Sequence, residues 1–175
     1  MANKKISELT VATAMDMDDA VAILDTDAGA TKSATKEILL RTSYALPTDE
    51  DYEGETTSGI VGEAVAFPDV LYFDLSEQKW KKADYNLIAT VPGVVIALET
   101  KVDGETCKLL KDGFVRYDTW DWTIDDTKKI LYLGASGAIS QDPVAGSGDY
   151  SQAVGMIMSA DKIMFRPSLA MAKHV

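Results

Sequence analysis

The chain has 175 residues and a mass of 18.9 kDa, which fits one domain or one domain with a substantial extra segment. Its hydrophobic content of 46 % can fill a core, while 17 basic against 28 acidic side chains leave a net charge of −11. That balance disfavours nucleic acid and anionic membranes as partners, because phosphate neutralisation by Lys and Arg supplies most nucleic-acid affinity.

The N-terminus, Met1-Ala2-Asn3-Lys4-Lys5-Ile6-Ser7-Glu8, lacks the apolar stretch of a secretory signal. No later apolar run reaches the roughly 18 residues of a membrane helix. Acidity is densest at the start: residues 1–60 carry five basic and twelve acidic side chains. Ala20-Val21-Ala22-Ile23-Leu24-Asp25 is a short apolar run that predicts a strand. Asp27-Ala28-Gly29-Ala30 predicts a turn. From Thr31 to Arg41 the pattern fits a second strand, or a strand passing into a short helix. Residues 1–45 are too few to own a full core, so they should pack on the rest of the chain or on another subunit. Five of the seven positions 49–55 are acidic, and residues 46–59 are therefore expected to be a linker or exposed loop.

From Ile60 the pattern changes to short strands with frequent turns. Val70-Leu71-Tyr72-Phe73-Asp74, the turn Leu75-Ser76-Glu77-Gln78 and Lys79-Trp80-Lys81-Lys82-Ala83 predict a hairpin, with Trp80 facing Tyr72 or a neighbour. Further strands are expected at Val95-Ile96-Ala97-Leu98-Glu99 and across Glu105 to Leu110. After a tight turn at Lys111-Asp112-Gly113, another is expected at Phe114-Val115-Arg116-Tyr117. Ile130-Leu131-Tyr132-Leu133, Ala138-Ile139-Ser140, a run from Gln152 to Ser159, and Lys162-Ile163-Met164-Phe165-Arg166 complete the set. Seven to nine strands with turns every 8–12 residues or so predict a mainly β chain. The expected architecture is a small N-terminal arm followed by an antiparallel β-sandwich or barrel-like domain over residues 60–175.

Chemical motifs are few. Asp16-Met17-Asp18-Asp19 fails the calcium-loop template, since Ala20, Val21 and Asp27 fall where an oxygen ligand, Gly and Glu are required. The glycine-rich Ala145-Gly146-Ser147-Gly148-Asp149 lacks the Gly-Lys-Ser/Thr of a phosphate loop. Cys107, the single cysteine, excludes an internal disulfide and a cysteine zinc site. His174, the single histidine, sits in the tail, where a Ser-His-Asp triad would be poorly held. No catalytic constellation stands out, and no metal or cofactor is expected. Tyr117, Trp120 and Trp122 are the candidate aromatic contacts. Two Trp two residues apart on a strand would share a face, either as a stacking platform for sugar rings or packed in the core or at a subunit contact. The second reading is the favoured one. Met156 and Met158 share one strand face and, with Met164 and Met171, are expected to fill core.

Two stretches resemble a known class of protein. The first comprises Lys5-Ile6-Ser7-Glu8-Leu9, Asp18-Asp19, Ala22-Ile23-Leu24-Asp25 and Thr31-Lys32-Ser33-Ala34-Thr35. It resembles the N-terminal attachment segment of bacteriophage fibre and appendage proteins. The second runs through Leu71-Tyr72-Phe73-Asp74, Lys79-Trp80-Lys81-Lys82-Ala83-Asp84, Gly93-Val94-Val95-Ile96-Ala97-Leu98, Gly113-Phe114-Val115-Arg116, Leu131-Tyr132-Leu133, Val154-Gly155-Met156-Ile157-Met158-Ser159-Ala160-Asp161 and Met164-Phe165-Arg166-Pro167-Ser168. It is similar to the small β domain of phage head-fibre, capsid-decoration and tail-fibre proteins. The resemblance implies a non-enzymatic virion structural protein, made in the host cytoplasm and carried on the particle surface. It also implies a homotrimer bound to the major capsid protein or another virion protein. The attachment segment supplies Ile6, Leu9, Val21, Ile23 and Leu24 as candidate shell or subunit contacts. The single β domain favours a capsid decoration, cement or short head-fibre protein. The alternatives are a tail adaptor or short tail fibre touching the host surface, and a carbohydrate-binding β module.

Overall fold

Short runs of Val, Ile, Leu and aromatic residues, separated by Gly, Asp and Ser, become strands because branched and aromatic side chains fit a pleated, half-buried surface. A computed structural model describes the strands Ala20–Asp25 and Ala30–Thr35 and residues 46–175. The chain divides into two compact units, Met1–Thr42 and Ser43–Val175.

In the first unit, β1 (Ala20–Asp25) pairs antiparallel with β2 (Ala30–Thr35), in register from Ala20↔Thr35 to Asp25↔Ala30. The apolar run at Ala20 is thus a strand, as its composition predicts. Ile6 and Leu9 lie outside the described residues, as does the Asp16-Met17-Asp18-Asp19 cluster. Val21, Ile23 and Leu24 lie on β1, which is described by its backbone pairing.

The second unit is one antiparallel sheet of ten strands. They are β3 (Tyr52–Ile60), β4 (Val70–Asp74), β5 (Lys79–Lys82), β6 (Val95–Ala97), β7 (Thr106–Arg116), β8 (Ile130–Leu133), β9 (Ile139–Ser140), β10 (Tyr150–Ser159), β11 (Lys162–Phe165) and β12 (Met171–Lys173). The mainly β expectation holds, and helix among the described residues is confined to single 3-10 turns at Ile88–Thr90 and Ala135–Gly137.

Strand β7 is the spine. One of its edges pairs with β3 from Ile60↔Thr106 to Tyr52↔Val115. Its other edge is shared in tandem: Leu109 and Leu110 pair with β6, and residues 113–116 pair with β11. One branch continues from β6 to β4 and β5, the other from β11 to β10, β8 and β9. The sheet curls into a half-barrel. At one point its margins meet, where Val61 after β3 forms a parallel bridge with Trp80 on β5 and the Gly62 N–H donates to the Trp80 carbonyl at 2.8 Å.

The curl creates two cores. Val61, Val65, Leu71, Val95, Ala97, Cys107 and Leu109 fill its inside, with Trp80 packed against them. The opposite faces of β4, β6 and β7 join β8, β10 and β11 around Val70, Ile96, Leu110, Val115, Leu131, Leu133, Val154, Ile163 and Phe165. A strict two-residue alternation would send Leu110 and Val115 to opposite faces. The register shift between Glu55 and Thr56 opposes one residue fewer on β3 to β7, and this bulge brings both into the larger core. A second shift on β10, between Ala153 and Gly155, does the same for Val154 and Ile157.

Three expectations are corrected here. Residues 46–59 are not a linker: Leu46 is buried and residues 52–60 form β3, whose backbone pairing to β7 does not depend on apolar side chains. Lys111-Asp112-Gly113 is not a turn but the bulged middle of β7. Met156, Met158 and Met164 do not fill core: Met158 is 38 % exposed, Met156 and Met164 are half-buried on the face opposite Ile157 and Ile163, and Met171 alone of the four packs against the larger core.

Candidate interaction surfaces

The structure brings Tyr117, Trp120 and Trp122 together. They lie just past β7 in an irregular segment, not on a strand as the sequence pattern suggested. The segment is pinned by the Trp120 N–H donating to the Tyr117 carbonyl at 3.0 Å and the Trp122 N–H donating to the Ala160 carbonyl at 2.9 Å. Phe67 and Tyr117 meet edge-on at 5.5 Å, and Tyr117 and Trp120 at 5.6 Å with an interplanar angle of 87°. Trp120 and Trp122 are 5.3 Å apart and tilted by 43°. All three residues are half-buried and pack against the larger core. Sugar stacking needs a flat exposed ring face, whereas these rings turn edges and faces towards one another, an arrangement that locks the segment onto the core. The Trp122 indole N–H is buried without a hydrogen-bond partner among the described residues.

Beside this cluster, Arg116 holds the start of the β unit. Its Nε meets Asp118 at 2.6 Å and Asp161 at 3.1 Å, and its Nη1 donates to the carbonyls of Leu46 at 3.2 Å and Pro47 at 3.0 Å. The Asp118 N–H donates to Asp49 at 2.7 Å. The Ser159 hydroxyl, donating at 2.6 Å, holds the Asp161 carboxyl below the usual carboxylate range, and Arg116 adds to the effect. Asp74, the last residue of β4, is pushed lower still by bonds from the Ser76 hydroxyl, Lys81 and two backbone N–H groups.

The outer face of the second branch carries an apolar row. Register places Ile130 on β8 opposite Met156 on β10, Met156 opposite Met164 on β11, and Met164 opposite Phe114 on β7. Met156 and Met158 share this face, as their spacing predicts, and line a depression of about 520 Å³ with Ile124, Asp125, Asp126 and Lys129. A second depression of similar size lies between the β4–β5 turn and residues 89–94, lined by Phe73, Leu75, Pro92 and Val94 among others.

Groups suited to chemistry are placed apart. Cys107 is fully buried in the smaller core, and burial pushes its thiol up, away from the reactive thiolate. His174 is exposed, with its backbone paired to Gly148 and Asp149. Among the described residues no three His, Cys, Asp or Glu side chains converge as a metal site. The sequence signal for Arg116 was absent, because its partners come from residues 46–49, 118 and 161.

No protein-family model, curated protein or solved structure matches the chain.

Proposed function

We propose that this chain is a non-enzymatic structural protein of a bacteriophage virion. In this reading it is a capsid-attached decoration, cement or short head-fibre protein, anchored through its N-terminal unit and working as a homotrimer. The observation that carries the proposal is the division into two unequal units. Two strands of six residues form the described part of the first, and an isolated two-stranded hairpin is marginal in water. Such a hairpin gains stability by adding its strands or faces to another surface. The second unit has two cores of its own and presents loops, turns and charged edges. The resemblance of Lys5-Ile6-Ser7-Glu8-Leu9 and the following strand to phage attachment segments supplies the identity of that other surface, a virion shell. The acidic balance suits an outward domain that stays soluble and resists non-specific association.

The test compares the full chain with one that begins at Ser43. Light scattering of the full chain is expected to give three times 18.9 kDa. Phage particles assembled with the full chain should carry it at defined positions by electron microscopy, while particles assembled with the shortened chain should carry none. Full occupancy by the shortened chain would remove the anchor assignment.

A further inference from the structure

The nine residues of β3 pair with β7 along one edge, and the other edge is open for most of its length among the described residues. The bridge between Val61 and Trp80 closes only its far end. The direction of the backbone groups follows from the two ends of the strand. The Asp51 carbonyl accepts from the Arg116 N–H, and the Val61 N–H donates to the Glu105 carbonyl. Alternation between those bonds aims odd-numbered residues at β7 and leaves the N–H and C=O of Gly54, Thr56 and Ser58 on the open side. Every side chain from Glu53 to Ser58 is exposed, so no neighbouring layer covers either face there.

Long open edges are normally blunted by proline, lysine, a bulge or a covering element. Strand β3 has neither proline nor lysine, and the bulge in this pair belongs to β7. The charge of the edge selects what it can accept. Asp49, Glu50, Asp51, Glu53 and Glu55 lie on it or just before it; Lys111 pairs with Glu55, Arg166 lines the same depression as Glu53 and Glu55 but pairs with Asp112, and Arg116 lies near Asp49. A second copy of β3, paired in parallel or antiparallel about Gly54, would place like charges opposite one another, and in every register it adds acid beside acid, which opposes pairing.

We propose that the open edge of β3 receives an added strand from a partner protein, and that the added segment is extended and basic. Main-chain bonds to Gly54, Thr56 and Ser58 supply the affinity, and Lys or Arg at alternate positions of the added strand meet Glu53 and Glu55. This contact is separate from the N-terminal anchor and stands or falls without it.

The experiment uses the full chain and a labelled peptide of alternating Lys and Val, matched to the nine residues of β3. A control peptide with Pro in place of each Val keeps the charge and cannot extend the sheet. Fluorescence anisotropy is expected to show the Lys/Val peptide binding at least about tenfold more tightly than the Lys/Pro peptide, the worth of one or two net hydrogen bonds. Amide exchange at Gly54, Thr56 and Ser58 is expected to slow when it binds. Ser58→Pro, which removes an outward N–H, should weaken the Lys/Val peptide by about tenfold while leaving the bonds to β7 intact. Equal affinity for the two peptides, no binding, or protection away from β3 overturns the proposal. If Ser58→Pro does not fold, the comparison of the two peptides decides the matter.

Discussion

Gln152 is the buried polar side chain of the larger core among the described residues, and its amide is fully engaged. Its Oε1 accepts from the Gly93 N–H at 2.8 Å, and its Nε2 donates to the carbonyls of Gly93 at 2.8 Å and Ser168 at 2.7 Å. One side chain on β10 thereby ties down the turn before β6 and the segment before β12. Gln152→Leu keeps the volume but strands a donor and two acceptors, so it should cost on the order of 3 kcal/mol, read from urea unfolding by tryptophan fluorescence. An unchanged midpoint would show that the amide is incidental. Asp161 makes a prediction in pH. Its lowered carboxyl contributes stability that is complete above the unfolded value of about 3.9 and is lost as pH falls through the folded value. The wild-type urea midpoint should therefore drop more steeply than that of Asp161→Asn below about pH 4, and parallel curves would contradict this. Little of this detail was legible in the sequence. A lone Gln in an apolar strand carries no periodic signal, and the partners of Arg116 and Asp161 are set by tertiary folding. The aromatic residues were legible as a group, but their position off the strand was not, because β7 ends where its pairing with β11 stops, at Arg116↔Lys162.

At the scale of elements, legibility tracked the side-chain pattern. The β4–β5 hairpin was readable because Val70 to Asp74 and Lys79 to Lys82 flank a polar turn, and Phe73 meets Trp80 across it at 5.0 Å. Strand β3 was not, because its acidic, small residues satisfy only the backbone ladder and leave no buried face to give a period. Lys111-Asp112-Gly113 has turn chemistry, yet the same glycine serves a bulged crossing. Gly113, with φ of 153°, lies opposite Gly54, and a Cβ on it would overlap the Glu53 carbonyl oxygen, which is backbone and cannot swing away. Gly113→Ala should therefore destabilise by about 3 kcal/mol, combining the φ strain with a forced separation of β3 from β7. Faster amide exchange in β3 should accompany the loss. A variant of normal stability with β3 still protected would mean that the pair relaxes without strain.

For the whole molecule, independence of the β unit is the property on which the attachment reading depends. An anchor that can be placed on a shell without disturbing what projects from it requires that the outer part fold alone. Among the described residues, the buried members of both cores run from Val61 onward, with Tyr52 packed against the larger one, so the β unit has apolar burial of its own. The boundary is nevertheless sharper than composition suggests, because residues 46–49 belong to the β unit. Leu46 is 5 % exposed, its carbonyl and that of Pro47 accept from Arg116, and Asp49 caps the Asp118 N–H. Two truncations separate these contributions. A chain beginning at Ser43 keeps the whole clamp and should unfold within a few tenths of a kcal/mol of the full chain's β unit, the scatter expected of changes that touch no buried group. A chain beginning at Tyr52 loses Leu46 and leaves Arg116 with Asp118 and Asp161 alone, and should be less stable by about 2–4 kcal/mol from the buried leucine and the lost hydrogen bonds together. Equal stability of the two truncations would place the boundary at β3 and make residues 46–51 a passive tether. Loss of folding in the chain from Ser43 would mean that the N-terminal unit is part of the fold, and the anchor reading would fall with it.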